Sequence, residues 1–284
     1  INSSDPSRFQ WRSFSKKITI DCSDPETTKE FLGPFHEVEG VEWIDTVSWI
    51  NLSATDPEPH PSGVNATYWR NLLVHDEEAG QHICGEPEKF CDPGFYSQSV
   101  DDQTPWNNYT GPFNKSEESC HVIEFFSVDN LGNEERKKWQ CVFVDKRAPE
   151  TEKRYGEPFF QNENGTEWIS SNTTVLLWSE DPQPHPSGVD KVYWRTTLVN
   201  DTNCWQPDVC QQIQGEGQWN SADDIHLNFT IREDSCHLIE FFAVDNVNKT
   251  EEVNKQCVFV DNKAPEPNKT VGEPKELWDG KDSK

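Results

Sequence analysis

The chain has 284 residues, of which 33% are hydrophobic, and it carries 16 Phe, 12 Trp and a formal net charge of −26. This composition can supply the cores of two ordinary domains, but no apolar run approaches the ~18 residues that a membrane span needs. So acidic a chain would repel phosphate, which argues against nucleic-acid binding and favours a highly soluble surface or cation binding.

The first predicted element is a short strand at residues 17–21, KITID, preceded by an aromatic-rich arm. Its surroundings align with residues 142–158, with Asp21 opposite Asp145, so it resembles the last strand of a domain whose body is absent. Either the chain is a segment of a longer array, or the arm inserts into a neighbouring copy and polymerises the protein head to tail. In the second case the predicted assembly residues are Phe9, Trp11, Phe14, Ile18 and Ile20.

The rest of the chain is a duplication. Residues 56–70 and 181–195 are identical at 11 of 15 positions, and residues 120–129 return as 236–245. The first pair is offset by 125 positions and the second by 116, so the first copy carries nine extra residues, as a surface-loop insertion would. A unit of about 120 residues that occurs twice predicts two domains of one kind in tandem.

Each copy contains short runs of alternating apolar residues separated by Gly, Pro, Asn and Asp, and no segment shows sustained helical periodicity. Many short strands in a unit of this size predict an antiparallel β-sandwich. On the strand near residue 124, alternation places Ile123 and Phe125 on one face and Glu124 on the other. The runs of the first copy are residues 46–54, 67–74, 121–128 and 141–145.

Three motifs carry a family resemblance. The first copy has Ser62-Gly63-Val64, then Val128-Asp129-Asn130 with Gly132-Asn133, then Val144-Asp145 with Ala148-Pro149. The second copy repeats them as Ser187-Gly188-Val189, Val244-Asp245-Asn246, and Val260-Asp261 with Ala264-Pro265. The pattern resembles the immunoglobulin-like (Big-type) repeats of bacterial and archaeal surface proteins over most of residues 40–266. One turn departs from it, because Asn248-Lys249 replaces Gly132-Asn133, and this leaves the geometry of that turn open.

The resemblance implies an all-β chain of two tandem immunoglobulin-like antiparallel β-sandwich domains with an extra N-terminal strand. The predicted boundaries are an arm or donor strand at 1–21, domains at 22–147 and 148–264, and a C-terminal linker or tail at 265–284.

Cysteine usage predicts a disulfide framework, because four cysteines recur in each copy and no CxxC pair suggests zinc. Two disulfides per domain are expected, with their connectivity open. Cys22 is the ninth cysteine and is predicted to be unpaired or to bridge two chains. The eight framework cysteines are Cys84, Cys91, Cys120, Cys141, Cys204, Cys210, Cys236 and Cys257.

An extracellular location is also predicted from N-glycosylation sequons. The chain has eleven, where chance would give about three. It begins at Ile1 and contains no Met, as expected of a processed protein whose signal peptide has been removed. The sequon asparagines are Asn2, Asn51, Asn65, Asn108, Asn114, Asn164, Asn172, Asn200, Asn228, Asn248 and Asn268.

Calcium is the predicted ligand of the acidic turns, because in an immunoglobulin-like topology these turns and the incoming linker meet at one end of the sandwich. The alternative is that the carboxylates cap turns and face water. The first group of candidate ligands is Asp21, Asp24, Glu26, Asp56, Glu58, Asp129, Asn130 and Asn133. The second group is Asp145, Glu150, Asp181, Asp245 and Asn246.

No catalytic residue is predicted. Ser62 and Ser187 follow His60 and His185 closely, but neither serine lies in a nucleophile elbow. The chain is therefore expected to be a non-enzymatic, glycosylated structural protein, the subunit of a surface filament or array that assembles with copies of itself.

The alternative prediction is an adhesin or a carbohydrate-binding stalk region, with exposed aromatic side chains stacking on sugars. Clustering of Trp106, Trp205 and Trp219 on one exposed face would favour this alternative. Trp69 and Trp194 are expected to pack in or over the cores.

Overall fold

The computed structural model describes residues 15–74 and 104–270. Within these ranges, no helix has both the length and the apolar character that crossing a membrane would require. The predictions made for Asn2, Phe9, Trp11, Phe14, Cys84 and Cys91 lie outside the described residues.

The first copy consists of nine described strands. They are β1 (Glu26–Leu32), β2 (Phe35–Val38), β3 (Val41–Asp45), β4 (Trp49–Thr55), β5 (Val64–Val74), β6 (Asn107–Asn108), β7 (Phe113–Asn114), β8 (Cys120–Asp129) and β9 (Lys138–Asp145).

The second copy repeats these strands and also contains two short helices. Its elements are β10 (Glu150–Tyr155), β11 (Phe159–Gln161), β12 (Glu167–Ile169), β13 (Thr174–Glu180), β14 (Val189–Leu198), α1 (Asp201–Cys204), α2 (Pro207–Cys210), β15 (Asn220–Ala222), β16 (His226–Thr230), β17 (Cys236–Asp245) and β18 (Asn254–Val260).

Each copy forms one three-stranded and one six-stranded sheet, and the two copies match strand for strand. The orders are β1-β4-β7 with β2-β3-β9-β8-β5-β6, and β10-β13-β16 with β11-β12-β18-β17-β14-β15. This confirms the predicted all-β chain of tandem immunoglobulin-like sandwiches.

One pair of strands in each copy is parallel within these otherwise antiparallel sheets. β3 runs parallel to β9, and β12 runs parallel to β18. The chain enters the six-stranded sheet through the β2–β3 hairpin and then leaves for the three-stranded sheet at β4. β3 is the second strand of this hairpin. It lies beside β9 and runs in the same direction as β9.

Contacts divide the chain into two compact units. The first contains residues up to 150 together with 180–191 and 243–251, and the second contains 151–179, 192–242 and the residues from 252 onward. The first unit thus includes two turn segments that belong to the second copy in sequence.

The core of the first sandwich lies between its two sheets. A second cluster occupies the other face of the six-stranded sheet and includes Cys120, Cys141 and Phe143. Because both faces of this sheet are covered, β8 is buried along nearly its whole length and does not alternate between core and solvent. The core residues between the sheets are Ile44, Ile50, Leu52, Ile123, Phe125, Val142 and Val144.

Glu124 lies on the face opposite Ile123. It is buried there and forms an ion pair with Arg70. The ring of Trp106 covers the Arg70 guanidinium at 4.6 Å. A buried ion pair is retained only when both charges are compensated, and these contacts supply the compensation. The matching group of the second copy is Arg195, Glu240 and Trp219.

The turn after β8 is closed by the carboxylate of Asp129. Its Oδ1 accepts the N–H groups of Leu131 (2.8 Å) and Asn133 (2.7 Å). The second copy keeps the same pattern although it lacks the glycine, because Asn248 adopts φ +65° where Gly132 has +90°. Asparagine tolerates this left-handed region better than most residues, so the geometry of the turn is preserved.

Two disulfides staple the second copy. Cys204–Cys236 ties α1 to β17, and Cys210–Cys257 ties α2 to β18. In the first copy Cys120 is disulfide-bonded and Cys141 is buried in the second cluster. Cys22 is exposed and forms no disulfide with any other cysteine in the part of the chain that the structure describes.

Residues 15–21 of the arm pair with no strand of the described chain, and insertion of the arm into a neighbouring copy stays a prediction. Ile18 and Ile20 are 78% and 71% exposed. A strand needs main-chain hydrogen-bond partners. Residues 17–21 correspond in sequence to β18, and within the second copy β18 itself already pairs with β17.

We expect removal of the Cys210–Cys257 disulfide to lower the free energy of unfolding by about 4 kcal/mol, because the bridge closes a 47-residue loop in the unfolded chain. The double variant Cys210→Ser/Cys257→Ser should show this loss in urea unfolding of the second unit. Cys22→Ser is the matched control and should leave unfolding unchanged. Equal midpoints for all three proteins would contradict a stabilising role for the bridge.

Candidate metal centre

Two triads of aspartates occur at equivalent positions of the two copies. In each triad, one carboxylate oxygen of every member lies within 4.8 Å of the others. The six residues all belong to the first compact unit. The first triad is Asp21, Asp56 and Asp129, and the second is Asp145, Asp181 and Asp245.

The members of a triad come from three separate parts of the fold. In the second triad, Asp145 ends strand β9, Asp181 directly follows β13, and Asp245 ends β17. In the first triad, Asp56 follows β4, Asp129 ends β8, and Asp21 comes from the arm. Strand ends that meet at one edge of a sandwich bring together side chains distant in sequence.

Main-chain amides fix the carboxylates of the second triad. Asp145 accepts the N–H of Arg147 on Oδ1 (3.1 Å) and that of Ser187 on Oδ2 (2.8 Å). Asp181 accepts the N–H of Gly188 on Oδ2 (2.7 Å). Gly188 has φ +87°, a conformation that glycine adopts without strain, so the Ser-Gly bend presents two successive amides to two carboxylates.

The first triad repeats this arrangement. Asp21 accepts the N–H of Ser23 on Oδ1 (3.1 Å) and that of Ser62 on Oδ2 (2.7 Å). Asp56 accepts the N–H of Gly63 on Oδ2 (2.6 Å). The positions of Asp21 and Asp145 are therefore equivalent in three dimensions, as their alignment in sequence suggests.

The two triads differ in their electrostatics. Burial, reinforced by repulsion from Asp145, raises the pKa of both Asp181 and Asp245 to about 7. Burial also opposes ionisation of Asp129, but hydrogen bonds from Asn133, Ser62 and Leu131 outweigh it and hold the pKa of Asp129 near 2. The second triad is thus the one in which negative charge is poorly compensated.

The remaining candidate ligands lie outside the triads. Asn130 and Asn246 use their side-chain amides to pin the Ser-Gly bends, each donating to two main-chain carbonyls at 2.8–2.9 Å. Asn133 donates its side-chain amide to Asp129 (2.8 Å). The exposed residues that join neither triad are Asp24, Glu26, Glu58 and Glu150.

The serine and histidine residues near the triads have packing and turn roles. Ser62 Oγ donates to Asp129 Oδ2 at 3.0 Å. The ring of His185 lies 5.8 Å from that of Phe143 and is buried. Sequence reasoning did not anticipate Ser187 as a possible ligand, although its place in the repeated Ser-Gly-Val motif was visible.

The oxygen atoms of the second triad suit a hard divalent cation. Three carboxylates that converge within 4.8 Å are the kind of ligand set that Ca²⁺ binds, with backbone or hydroxyl oxygens completing its coordination. Asp145, Asp181 and Asp245 are the residues that would hold such an ion.

Comparison with known proteins adds little to this description. No protein-family model and no curated protein matches the chain. Among solved structures, the fibronectin(III)-like modules of Clostridium thermocellum CbhA are similar, with 11% identity, a TM-score of 0.36, and coverage of 86% of this chain and 100% of theirs. The FN1-FN3 domains of chicken CNTN1 are similar at 8% identity and a TM-score of 0.30, covering 80% of this chain and 67% of theirs. The assignment of the fold rests on the strand order of the chain itself.

Neutralising one buried carboxylate of the second triad should stabilise the metal-free protein. In the presence of a chelator, we expect Asp181→Asn to raise the free energy of unfolding by about 2 kcal/mol, because it removes one of three like charges held in a buried site. Thermal unfolding monitored by circular dichroism measures the change. Asp56→Asn, in the half-exposed position of the first triad, should have a much smaller effect. A loss of stability in Asp181→Asn would show that its charge is compensated.

Proposed function

We propose that this chain is a structural segment of an extracellular surface filament or array, in which sandwich domains join end to end. The observation that carries the proposal is an aspartate that recurs at three corresponding positions, Asp21, Asp145 and Asp261. A residue with one constant role at each repeat boundary is what a serial array needs, because every joint then uses the same chemistry.

The three aspartates share a local geometry. Each accepts the N–H of the residue two positions later on Oδ1, at 3.1 Å for Asp21, 3.1 Å for Asp145 and 2.9 Å for Asp261. Asp21 and Asp145 in addition accept a serine N–H from a Ser-Gly bend. Asp261 is exposed and presents the same carboxylate, so the partner that fits it is the Ser-Gly bend of a further sandwich of this kind.

The arm is the second element of the proposed assembly. Ile18 and Ile20 alternate along it, so an extended arm would place both on one face. Because β18 already fills the place beside β17, the arm of a neighbouring copy would have to add to an edge strand. Addition of a strand would supply main-chain hydrogen bonds to residues 15–21, which have no strand partner within the described chain, and would cover the two exposed isoleucines.

Several properties of the chain fit an extracellular location. Disulfides support its small cores, and its net charge of −26 opposes aggregation. Of the ten sequon asparagines in the described ranges, nine are exposed, and we assign glycans to these. Asn51 is half-buried: its amide donates to Glu30 (2.6 Å) and its carbonyl accepts the Tyr109 hydroxyl (2.6 Å).

Assembly through the arm is tested with the double variant Ile18→Asp/Ile20→Asp. We expect wild-type protein to form fibres in electron micrographs and fast-sedimenting species in the ultracentrifuge, and the variant to remain monomeric, because two charges on the buried face of an added strand forbid pairing. Leu131→Asp is the matched control, since Leu131 is 64% exposed in a turn outside the arm. Fibres formed equally by the double variant would contradict a role for the arm.

The alternative function, binding of carbohydrate as an adhesin or stalk region, gains no support from Trp106, Trp205 and Trp219, of which Trp106 and Trp219 occupy equivalent positions in the two copies. Trp106 packs edge-on against Phe126 at 4.8 Å, and Trp219 against Phe242 at 4.9 Å. Trp205 is more exposed but packs on Phe259 at 4.8 Å. Each tryptophan therefore serves the packing of its own repeat.

One other feature does favour carbohydrate binding. A surface pocket of about 290 Å³ on the sheet β10-β13-β16 is lined in part by Arg154, Leu176, Trp178 and His226. An exposed indole beside charged groups is suited to stacking on a sugar ring. We therefore expect that, if the chain binds an oligosaccharide on a glycan array, Trp178→Ala will weaken binding at least tenfold. Trp49→Ala, another exposed tryptophan, should not. An array on which the wild-type protein binds nothing rejects this alternative.

A further inference from the structure

The second triad contains buried oxygen atoms without hydrogen-bond partners. Asp145, Asp181 and Asp245 are 1%, 7% and 1% exposed. Among the described residues, neither Asp181 Oδ1 nor Asp245 Oδ2 has a hydrogen-bond partner, and Ser187 Oγ has none either. A buried oxygen of an ionised carboxylate that lacks both a donor and a counter-ion is costly, so these atoms point to a ligand.

Basic side chains near the triad are engaged elsewhere. Lys249 follows Asp245 by four residues, but its ammonium group forms an ion pair with Asp45. Arg147 follows Asp145 by two, but its guanidinium pairs with Glu118 (2.8 Å) and donates to the carbonyl oxygen of Gln183 (2.5 Å). Three carboxylates therefore share a buried site to which neither of these two neighbouring cations donates.

The first triad is closed by hydrogen bonds at Asp129 Oδ2, the atom that corresponds to Asp245 Oδ2, whereas Asp56 Oδ1, like Asp181 Oδ1, has no hydrogen-bond partner among the described residues. Asp129 Oδ2 accepts the Asn133 side-chain amide at 2.8 Å and the Ser62 hydroxyl at 3.0 Å. The residue that corresponds to Asn133 is Lys249, which offers no such donor to Asp245. The other two members of the first triad, Asp21 and Asp56, are half-exposed, whereas all three members of the second triad are buried.

We propose that the chain binds one calcium ion, at Asp145, Asp181 and Asp245 with Ser187 Oγ as a further ligand, and that the first triad does not bind calcium at comparable concentrations. Calcium accepts carboxylate and hydroxyl oxygens in flexible numbers and geometries. Magnesium demands near-ideal octahedral geometry and keeps several of its waters, which a buried set of protein oxygens cannot easily provide.

Calorimetric titration of the metal-free full chain with CaCl₂ tests the proposal. We expect one ion per chain with a Kd below about 1 mM and a higher unfolding temperature in millimolar calcium than in equal magnesium. Asp245→Asn should weaken binding at least tenfold. Asp129→Asn is the matched control and should leave binding unchanged, because the asparagine carbonyl can still accept the amides of its turn.

A second variant tests the same site in case Asp245→Asn fails to fold. Lys249→Asn keeps all three carboxylates but supplies the amide that closes the first triad, and we expect it to weaken calcium binding about tenfold, the value of one added hydrogen bond to a charged group. Two bound ions, or loss of affinity in Asp129→Asn, would overturn the assignment to the second triad alone. Folded protein that gives no binding heat and no calcium-specific change in unfolding temperature would overturn calcium binding altogether.

Discussion

The turns of this protein depend on carboxylates that accept main-chain N–H groups. A sharp bend leaves amides without partners, and an aspartate satisfies them without lengthening the chain. Asp129 and Asp245 do this for their own turns, while Asp21 and Asp145 satisfy serine amides 41 and 42 residues away. Closing turns in this way gathers negative charge in a small, buried volume. The same bonds that close the turns therefore concentrate negative charge that the proposed calcium ion would offset.

Much of the turn chemistry could be predicted from sequence because it depends on few neighbouring residues. Gly63 and Gly188 adopt the positive φ values expected of them, and Asp129 and Asp245 accept the amides of the turns they open. The alignment of Asp21 with Asp145 could also be read directly. The serine amide that each of these two aspartates accepts could not be predicted, since it belongs to a segment distant in sequence.

Features that depend on long-range packing escaped prediction for the same reason. Alternation placed Glu124 opposite Ile123, but only the structure shows that Arg70 pairs with Glu124 and that Trp106 covers Arg70. Helices α1 and α2 have four residues each, too few for any periodicity, and disulfides hold them in place. The inequality of the two triads depends on Lys249 pairing with Asp45, a contact between residues far apart in the chain.

The side chain of Asn51 lies half-buried between Glu30 on β1 and Tyr109, with both ends of its amide engaged. Once the sandwich has closed, an oligosaccharyltransferase cannot reach this nitrogen without breaking those bonds. A sugar at this position would therefore have been attached to a nascent, unfolded chain, and its occupancy would record whether modification or folding came first during biosynthesis.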